Sequence, residues 1–334
     1  MTPAALGIVL LPVLLFLAGL MLMDSYKLVA GGVVLRAVAA GVVAALLALL
    51  VNLLALRAGI SARLLQGVVA PAIEETLKAL YVVYLMRTDR VGFTVDAGIQ
   101  GFAVGAGFAL LENLYYALTL PEPNPMLWLA RGLGTAVMHG CATALVGIVS
   151  KDLADRHGTA ALRWFAPGLA IAIVTHAAFN LLTTHAFVSV AVMLVGMPLL
   201  LVGAFERSEQ ATREWLGTGL DADVELLELI LSGEISGTRA GRYLESLKHR
   251  FPGPVVADML CLLQIHLELS LRAKGMLIAR AAGLDVPMDR DAKANLKEMK
   301  YLERSIGPTG RIAILPLRRA HGRDLWQIRM MQKR

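Results

Sequence analysis

The sequence predicts an all-α fold: a polytopic transmembrane helical bundle of about seven spans, followed by a C-terminal helical region in the cytoplasm. The first observation is composition, because 57% of the 334 residues are hydrophobic and only 17% are charged, against about 25% charged in soluble domains. The second is a series of apolar runs in residues 1–206, each close to the roughly 20 residues that cross a bilayer. The third is a more polar, amphipathic remainder, residues 207–334, whose role the sequence does not indicate.

Seven apolar runs follow one another in the first part of the chain, separated by polar or proline-rich breaks. The runs are Thr2–Met23, Val29–Leu56, Leu64–Met86, Val95–Leu118, Met126–Val149, Leu162–Leu182 and Ala186–Phe205. The break at residues 121–125 holds three prolines and cannot continue a helix. The break around Thr183 is the least marked, so the last two spans have the least certain boundary.

The remainder of the chain has the pattern of amphipathic helices separated by glycine and proline. The predicted helices are Asp221–Gly233, Thr238–Arg250, Pro254–Gly283 and Arg290–Ile306. The Pro254–Gly283 stretch is apolar enough for an eighth span to be an alternative. Charged side chains such as Asp258, Arg272 and Lys274 are spread through it, however, which favours a packed cytoplasmic helix.

Loop charge predicts the orientation, because cytoplasmic loops of membrane proteins are enriched in Lys and Arg. With the N-terminus outside, most basic loop residues fall on the inner side, so we predict an integral protein of a bacterial inner membrane with a cytoplasmic C-terminus. Residues 1–206 carry 11 Lys and Arg against 10 Asp and Glu, whereas residues 207–334 carry 21 against 16. A basic region beside a membrane is attracted to anionic lipid. Without an aromatic-basic motif, a nucleic-acid partner is not expected.

Ionisable and strongly polar side chains interrupt four successive apolar runs, although each costs at least ~2.5–3.5 kcal/mol near the bilayer centre. These side chains are Glu74, Glu75, Lys78, Glu112, His139, His176 and Asn180. Measured along each span at about 1.5 Å per residue, their depths differ by only about 5–9 Å. We therefore expect one polar cavity inside the bundle that contains all of them.

The residue types indicate water activation. Lys78 can neutralise only one of the two adjacent acids, Glu74 and Glu75, which leaves a second carboxylate for general base catalysis. His176 and Asn180 are four residues apart and therefore project from one helix face. The alternatives are a buried ion pair or core histidines that only stabilise the bundle, but neither accounts for all of these side chains together.

The order of these residues resembles the four-motif signature of the PrsW family of intramembrane proteases. The motifs are Glu74-Glu75-x-x-Lys78, Phe108-x-x-x-Glu112, a lone His139 in the next span, and His176-x-x-x-Asn180. The wider superfamily includes the CAAX prenyl endopeptidases and the Abi proteins. The resemblance covers roughly residues 64–185, and it implies hydrolysis of a peptide bond in a membrane protein or lipidated peptide.

Two mechanisms fit the resemblance. In the first, Glu112, His139 and His176 hold a zinc ion, Glu74 or Glu75 is the general base, and Asn180 assists as a catalytic residue, with Lys78 and Phe108 in support. In the second, a glutamate and a histidine activate water without metal, and His176 or His139 helps to hold the oxyanion together with Asn180. A carboxylate is a good zinc ligand and a poor oxyanion donor, so Glu112 favours the metal scheme.

Other function classes remain open at this point. His139 and His176 on neighbouring helices could be axial ligands of a haem, which would leave the acidic pair unexplained. An ion- or proton-coupled transporter could use the same Glu and His residues as a relay, although no second half of the sequence mirrors the first.

Overall fold

The computed structural model describes residues 3–119, 125–181, 186–317, 326–328 and 330–331. The chain is all-helical as predicted, with no β-strand among the described residues. It divides into two compact units, residues 1–209 and residues 210–334.

The first unit is a bundle of apolar helices in which every predicted run forms a helix over its described residues. In chain order these are α1 (Pro3–Leu22), α2 (Gly31–Arg57), the single turn α3 (Ala62–Leu64), α4 (Ala70–Arg87), α5 (Thr94–Thr119), α6 (Pro125–His157), α7 (Ala166–Leu181) and α8 (Ala186–Leu231). A π-helix, Leu65–Val69, joins α3 to α4, and a 3₁₀ turn, Leu162–Phe165, precedes α7. The breaks expected at residues 121–125 and around Thr183 fall largely outside the described residues.

Helix α8 is longer than the sequence predicts, because it continues without a break from Ala186 to Leu231. The sequence predicts a span ending at Phe205 and a separate helix beginning at Asp221. The residues between these positions include no proline, and the single proline of the helix, Pro198, lies within the predicted span. The helical backbone therefore continues into the polar region.

Helix α5 is buried on all sides over most of its length, and glycines allow its neighbours to approach it closely. A Cβ added at Gly105 would lie 2.1 Å from the carbonyl oxygen of His139 in α6, and one at Gly107 would lie 2.0 Å from that of Val38 in α2. Small residues at helix contacts permit such backbone approach in membrane bundles. The close packing of α5 against α6 brings the segments that carry Glu112 and His139 together.

The outer helices have a different surface. In α2, the side chains of Leu35, Leu50 and Leu54 are each more than half exposed, whereas nearly every residue of α5 from Val95 to Ala109 is buried. Long apolar side chains that face outward in an otherwise packed bundle are expected where lipid replaces water as the solvent.

Five helices of the described chain are long and apolar enough to cross a membrane. They are Gly31–Arg57, Thr94–Thr119, Gly134–His157, Leu162–Leu181 and Gly253–Ala281. This supports an integral membrane protein. Helix α4 contains four charged residues within its 18 positions, so it does not satisfy the same composition test. The fifth helix belongs to the stretch that we predict to be cytoplasmic, and the count of seven spans stays a prediction.

Besides the end of α8, the second unit has further α-helices between residues 239 and 314 of its described part. They are α9 (Arg239–Leu247), α10 (Gly253–Ala281), α11 (Arg290–Ser305) and α12 (Gly307–Ile314), with a 3₁₀ turn at Glu234–Gly237. Thr238 and Asp289 cap the N-termini of α9 and α11 through their side-chain oxygens. Inside this unit the Lys274 Nζ lies 2.6 Å from Asp223 Oδ2 and donates to the Gly219 carbonyl oxygen at 2.7 Å.

Candidate active site

Helix α4 carries the two acids and the lysine into the interior of the bundle. The π-helix just before it is closed by the Ala70 N–H, which donates to the carbonyl oxygen of Leu65 five residues earlier. The extra residue in this turn changes which side of the following helix faces inward. Glu74 is 8% exposed, and Glu75 and Lys78 have no exposed surface.

Glu75 is the centre of the polar contacts. One of its oxygens, Oε1, accepts from Lys78 Nζ at 2.6 Å and lies 2.8 Å from His176 Nδ1. The same oxygen is 3.8 Å from His139 Nδ1. Glu75 therefore orients the His176 ring by a direct hydrogen bond, while Lys78 links the same carboxylate to His139. Carboxylates commonly hold metal-binding histidines from behind in this way.

Hydrogen-bond chemistry assigns the histidine tautomers. An ammonium group only donates, so His139 Nδ1, which lies 2.7 Å from Lys78 Nζ, accepts there. The ring proton of a neutral His139 is then on Nε2, which donates to Glu112 Oε2 at 2.6 Å. To ligate a metal ion through Nε2, His139 would have to carry its ring proton on Nδ1 instead, and Lys78 would then donate to Glu75 alone. His176 donates from Nδ1 to Glu75, and this leaves the lone pair of its Nε2 directed toward Glu74, whose Oε2 is 3.8 Å away.

Glu74 uses only one of its two carboxylate oxygens in a hydrogen bond. Oε1 accepts from Asn52 Nδ2 at 3.1 Å, whereas the buried Oε2 has no hydrogen-bond partner among the described residues. Ligand atoms of Glu74, His139 and His176 lie within 4.8 Å of one another. One carboxylate and two imidazoles form a donor set that zinc prefers, and the buried lone oxygen is one that a cation would satisfy. The residues therefore fit a divalent metal ion.

Glu112 lies at the edge of this group. Its side chain is 22% exposed, against 0% for His139. The sequence predicts Glu112 as a metal ligand and Glu74 as a catalytic acid, but the group that the structure brings together contains Glu74 in place of Glu112. Glu74 and Glu112 lie on different helices, α4 and α5. The residue pattern alone does not tell which of the two carboxylates lies close to both histidines.

The remaining predicted residues surround the site. The Phe108 ring lies 4.9 Å from the His139 ring between centroids, and Lys78 Nζ is 4.4 Å from the Phe108 centroid. The ammonium group thus has an aromatic face beside it within the apolar interior. Asn180, which we expect to assist catalysis, donates from Nδ2 to the carbonyl oxygen of Gln66 in the π-helix at 2.9 Å.

Sequence reasoning missed Asn52, which reaches Glu74 from α2. The available signal was its position as the single polar side chain in the run from Leu46 to Leu56. An amide in the hydrocarbon region requires a partner, so a lone asparagine among leucines indicates a contact with another helix.

Comparison with known proteins agrees with the motif resemblance. A family model described as "PrsW family intramembrane metalloprotease" matches residues 25–203, which is just over half of the chain. The matched range includes α2, the site residues named above and most of the predicted spans. Neither a curated protein nor a solved structure gives a match.

Proposed function

The chain belongs to the PrsW family of intramembrane metalloproteases, and on this premise we propose that it hydrolyses a peptide bond of a membrane-associated substrate. We propose the reaction at the Glu74–His139–His176 group, here called the ligand cluster. The observation that carries the proposal is the grouping of these three ligand atoms beside the Glu75–Lys78 pair. Such a constellation suits hydrolysis better than electron transfer, because it combines a metal donor set with further carboxylates that can move protons.

Glu74, His139 and His176 would hold a zinc ion. Zinc in such a site supplies Lewis acidity and allows water to ionise near neutral pH. Glu112, predicted from the sequence as a ligand, is then available for another role. The ligand cluster is buried, and Glu75 and Lys78 behind it have no exposed side-chain surface, so bulk water is excluded from the back of the site.

The surrounding residues have separate roles in this proposal. Glu75 orients the His176 ring through Oε1, and Lys78 balances the charge of that carboxylate and contacts His139 Nδ1. Glu112 is the most accessible of the three acids, and it accepts a proton from the attacking water. At the same time the water oxygen bonds to the carbonyl carbon of the substrate. The same carboxyl then returns the proton to the amide nitrogen as the C–N bond breaks, which balances the reaction.

The test separates Glu74 from Glu112 through metal content. Detergent-purified wild type, Glu74→Gln and Glu112→Gln would be analysed for zinc and assayed for cleavage of a single-span test substrate. We expect about one zinc ion per wild-type chain, its loss from Glu74→Gln, its retention in Glu112→Gln, and loss of cleavage in both variants. Zinc lost only from Glu112→Gln would restore the ligand set predicted from the sequence. Cleavage by a wild type without metal would favour the metal-free scheme.

The position of the site inside an apolar bundle favours a substrate that is itself in the membrane. A peptide bond must reach buried residues of the bundle from the bilayer, so we propose a membrane protein or a lipidated peptide as the substrate. We also propose that the chain crosses the membrane seven times with its C-terminus inside. Its basic residues 207–334 then lie next to the anionic lipid of the inner leaflet.

A further inference from the structure

We infer that Asn52 is a positioning residue of the proposed protease site, which fixes the carboxylate of Glu74 so that Oε2 faces the histidines. The inference rests on the proposed function and adds a residue on α2, a helix that none of the four sequence motifs includes. It starts from one contact, the hydrogen bond from Asn52 Nδ2 to Glu74 Oε1 at 3.1 Å.

The location of Asn52 indicates that its contact with Glu74 has a role in the site. Its neighbours Val51 and Leu53 are exposed on the apolar surface of α2, so the asparagine stands at the boundary between lipid and the bundle interior. Interhelical hydrogen bonds of this kind contribute only about 0.6–2 kcal/mol in membranes. A leucine here would suit both the helix and the lipid, whereas asparagine provides an N–H that leucine cannot.

The direction of the amide follows from the chemistry of its partner. An ionised carboxylate only accepts, so the NH₂ group of Asn52 faces Glu74 and Oδ1 points away. Oδ1 is buried and has no hydrogen-bond partner among the described residues. A buried unsatisfied acceptor costs about 1–3 kcal/mol, and the protein tolerates this in order to keep the donor on Glu74.

The consequence for Glu74 is a fixed orientation. With Oε1 held by Asn52, the other oxygen is directed toward His176 Nε2 at 3.8 Å. Without the N–H, the carboxylate rotates freely about the terminal bond of the side chain, so no oxygen is held toward His176 Nε2 and the ligand is no longer preorganised. Groups that orient a metal ligand in this way typically change metal affinity or activity by about 10–100-fold.

The experiment compares Asn52→Leu with a matched control, Gln100→Leu. Gln100 is also a buried amide that donates to a carboxylate, that of Asp96. It lies about 18 Å along α5 from Glu112 at 1.5 Å per residue. Zinc affinity would be measured by chelator competition on the full-length protein in detergent, with kcat, KM and thermal stability measured alongside.

We expect Asn52→Leu to bind zinc about 10–100-fold more weakly, with a similar fall in kcat, an unchanged KM and no loss of thermal stability. Gln100→Leu should leave zinc affinity and kcat as in the wild type. If Asn52→Leu bound zinc as tightly as the wild type, the inference would be wrong although the proposed function would stand. A wild type that bound no zinc would overturn the proposed metal site, and the role of Asn52 with it.

A second pair of variants tests whether Asn52 acts through Glu74. Glu74→Asp keeps a carboxylate but shortens the side chain beyond reach of the Asn52 amide. In the Glu74→Asp background, Asn52→Leu should therefore change zinc affinity by less than about threefold, since interaction energies between coupled residues are not additive. A full 10–100-fold loss in this background would mean that Asn52 acts by another route, and would overturn the inference.

Discussion

Lys78 has no exposed side-chain surface, and its ammonium group lies between Glu75 Oε1 at 2.6 Å and His139 Nδ1 at 2.7 Å. Glu75 is equally buried. Removing one member of such a pair leaves an uncompensated charge in a medium of low dielectric constant, which costs more than the pair contributes when both are present. The charge of Lys78 therefore supports the fold as well as the site.

We predict that Lys78→Met lowers the free energy of unfolding by about 3–5 kcal/mol, measured by denaturation in mixed detergent micelles. The double variant Lys78→Met/Glu75→Gln should recover most of that stability, because no buried charge is left alone, but it should not cleave substrate. Arg156→Met is the control, since Arg156 pairs with Asp152 on the exposed surface and should change stability by less than about 1 kcal/mol. A stable, active Lys78→Met protein would contradict the prediction.

That the buried Glu and His residues lie close together was largely predictable from single residues, whereas the role of each stays a prediction. Charged groups in apolar runs are costly, and this cost alone singles out Glu74, Glu75, Glu112, His139 and His176 in the sequence. The division of roles between Glu74 and Glu112 depends on which carboxylate reaches both imidazoles. That is set by the rotation of α4 and α5 about their axes, and the sequence does not encode this rotation in any short pattern.

At the scale of helices, the contact between α5 and α6 depends on Gly105. A Cβ there would meet the His139 carbonyl oxygen at 2.1 Å, so the two backbones would have to separate and move His139 away from Glu112. We predict that Gly105→Ala lowers kcat by at least about tenfold, which corresponds to about 1.4 kcal/mol, and also lowers thermal stability.

The control for this prediction is Gly203→Ala in α8, because a Cβ at Gly203 meets no atom within 4 Å. Alanine is favoured over glycine in a helix by about 1 kcal/mol, so Gly203→Ala should be neutral or slightly stabilising. If both variants behaved alike, close approach of α5 and α6 would not be needed for the site.

The π-helix offers a second prediction about helices. Asn180 in α7 donates to the Gln66 carbonyl, so it connects the helix of His176 to the segment that leads into α4. We predict that Asn180→Leu lowers cleavage and increases amide hydrogen exchange in residues 65–69, because this connection is lost. Lower cleavage with unchanged exchange would instead favour the role in oxyanion stabilisation that the sequence indicates for Asn180.

Helix ends were predictable where a break has a chemical cause. The predicted run Val29–Leu56 corresponds to the helix Gly31–Arg57, and the predicted run Val95–Leu118 corresponds to the helix Thr94–Thr119. In both cases a polar or charged residue directly follows the apolar run. The π-helix at Leu65–Val69 was not predictable, because no residue type in the LQGVV segment marks a π-turn and only its backbone hydrogen bonds distinguish it. The continuation of α8 beyond Phe205 was missed for a related reason, as a change from apolar to polar residues does not by itself end a helix.

For the whole molecule, the proposed seven-span topology predicts which loops face the cytoplasm. A reporter that is active only inside the cell should function when fused after Arg90, Lys151 or Arg207, and should fail after Pro123. The reason is the bias of Lys and Arg toward the cytoplasmic loops. An active fusion at Pro123 would mean that the bundle is inverted or that one span is miscounted.

Helix α10 determines whether the second unit is entirely cytoplasmic, because Gly253–Ala281 is long and apolar enough to cross a membrane. We nevertheless predict a cytoplasmic helix. Lys274 and Asp223 form an ion pair in this unit, and Glu268 lies at the middle of the helix, where a charge in a lipid-facing span is most costly. The same reporter fused after Arg250 and after Asp289 should be active at both positions, since no membrane lies between them. Activity after Arg250 but not after Asp289 would make α10 an eighth span and would place the chain after α10 outside the cell.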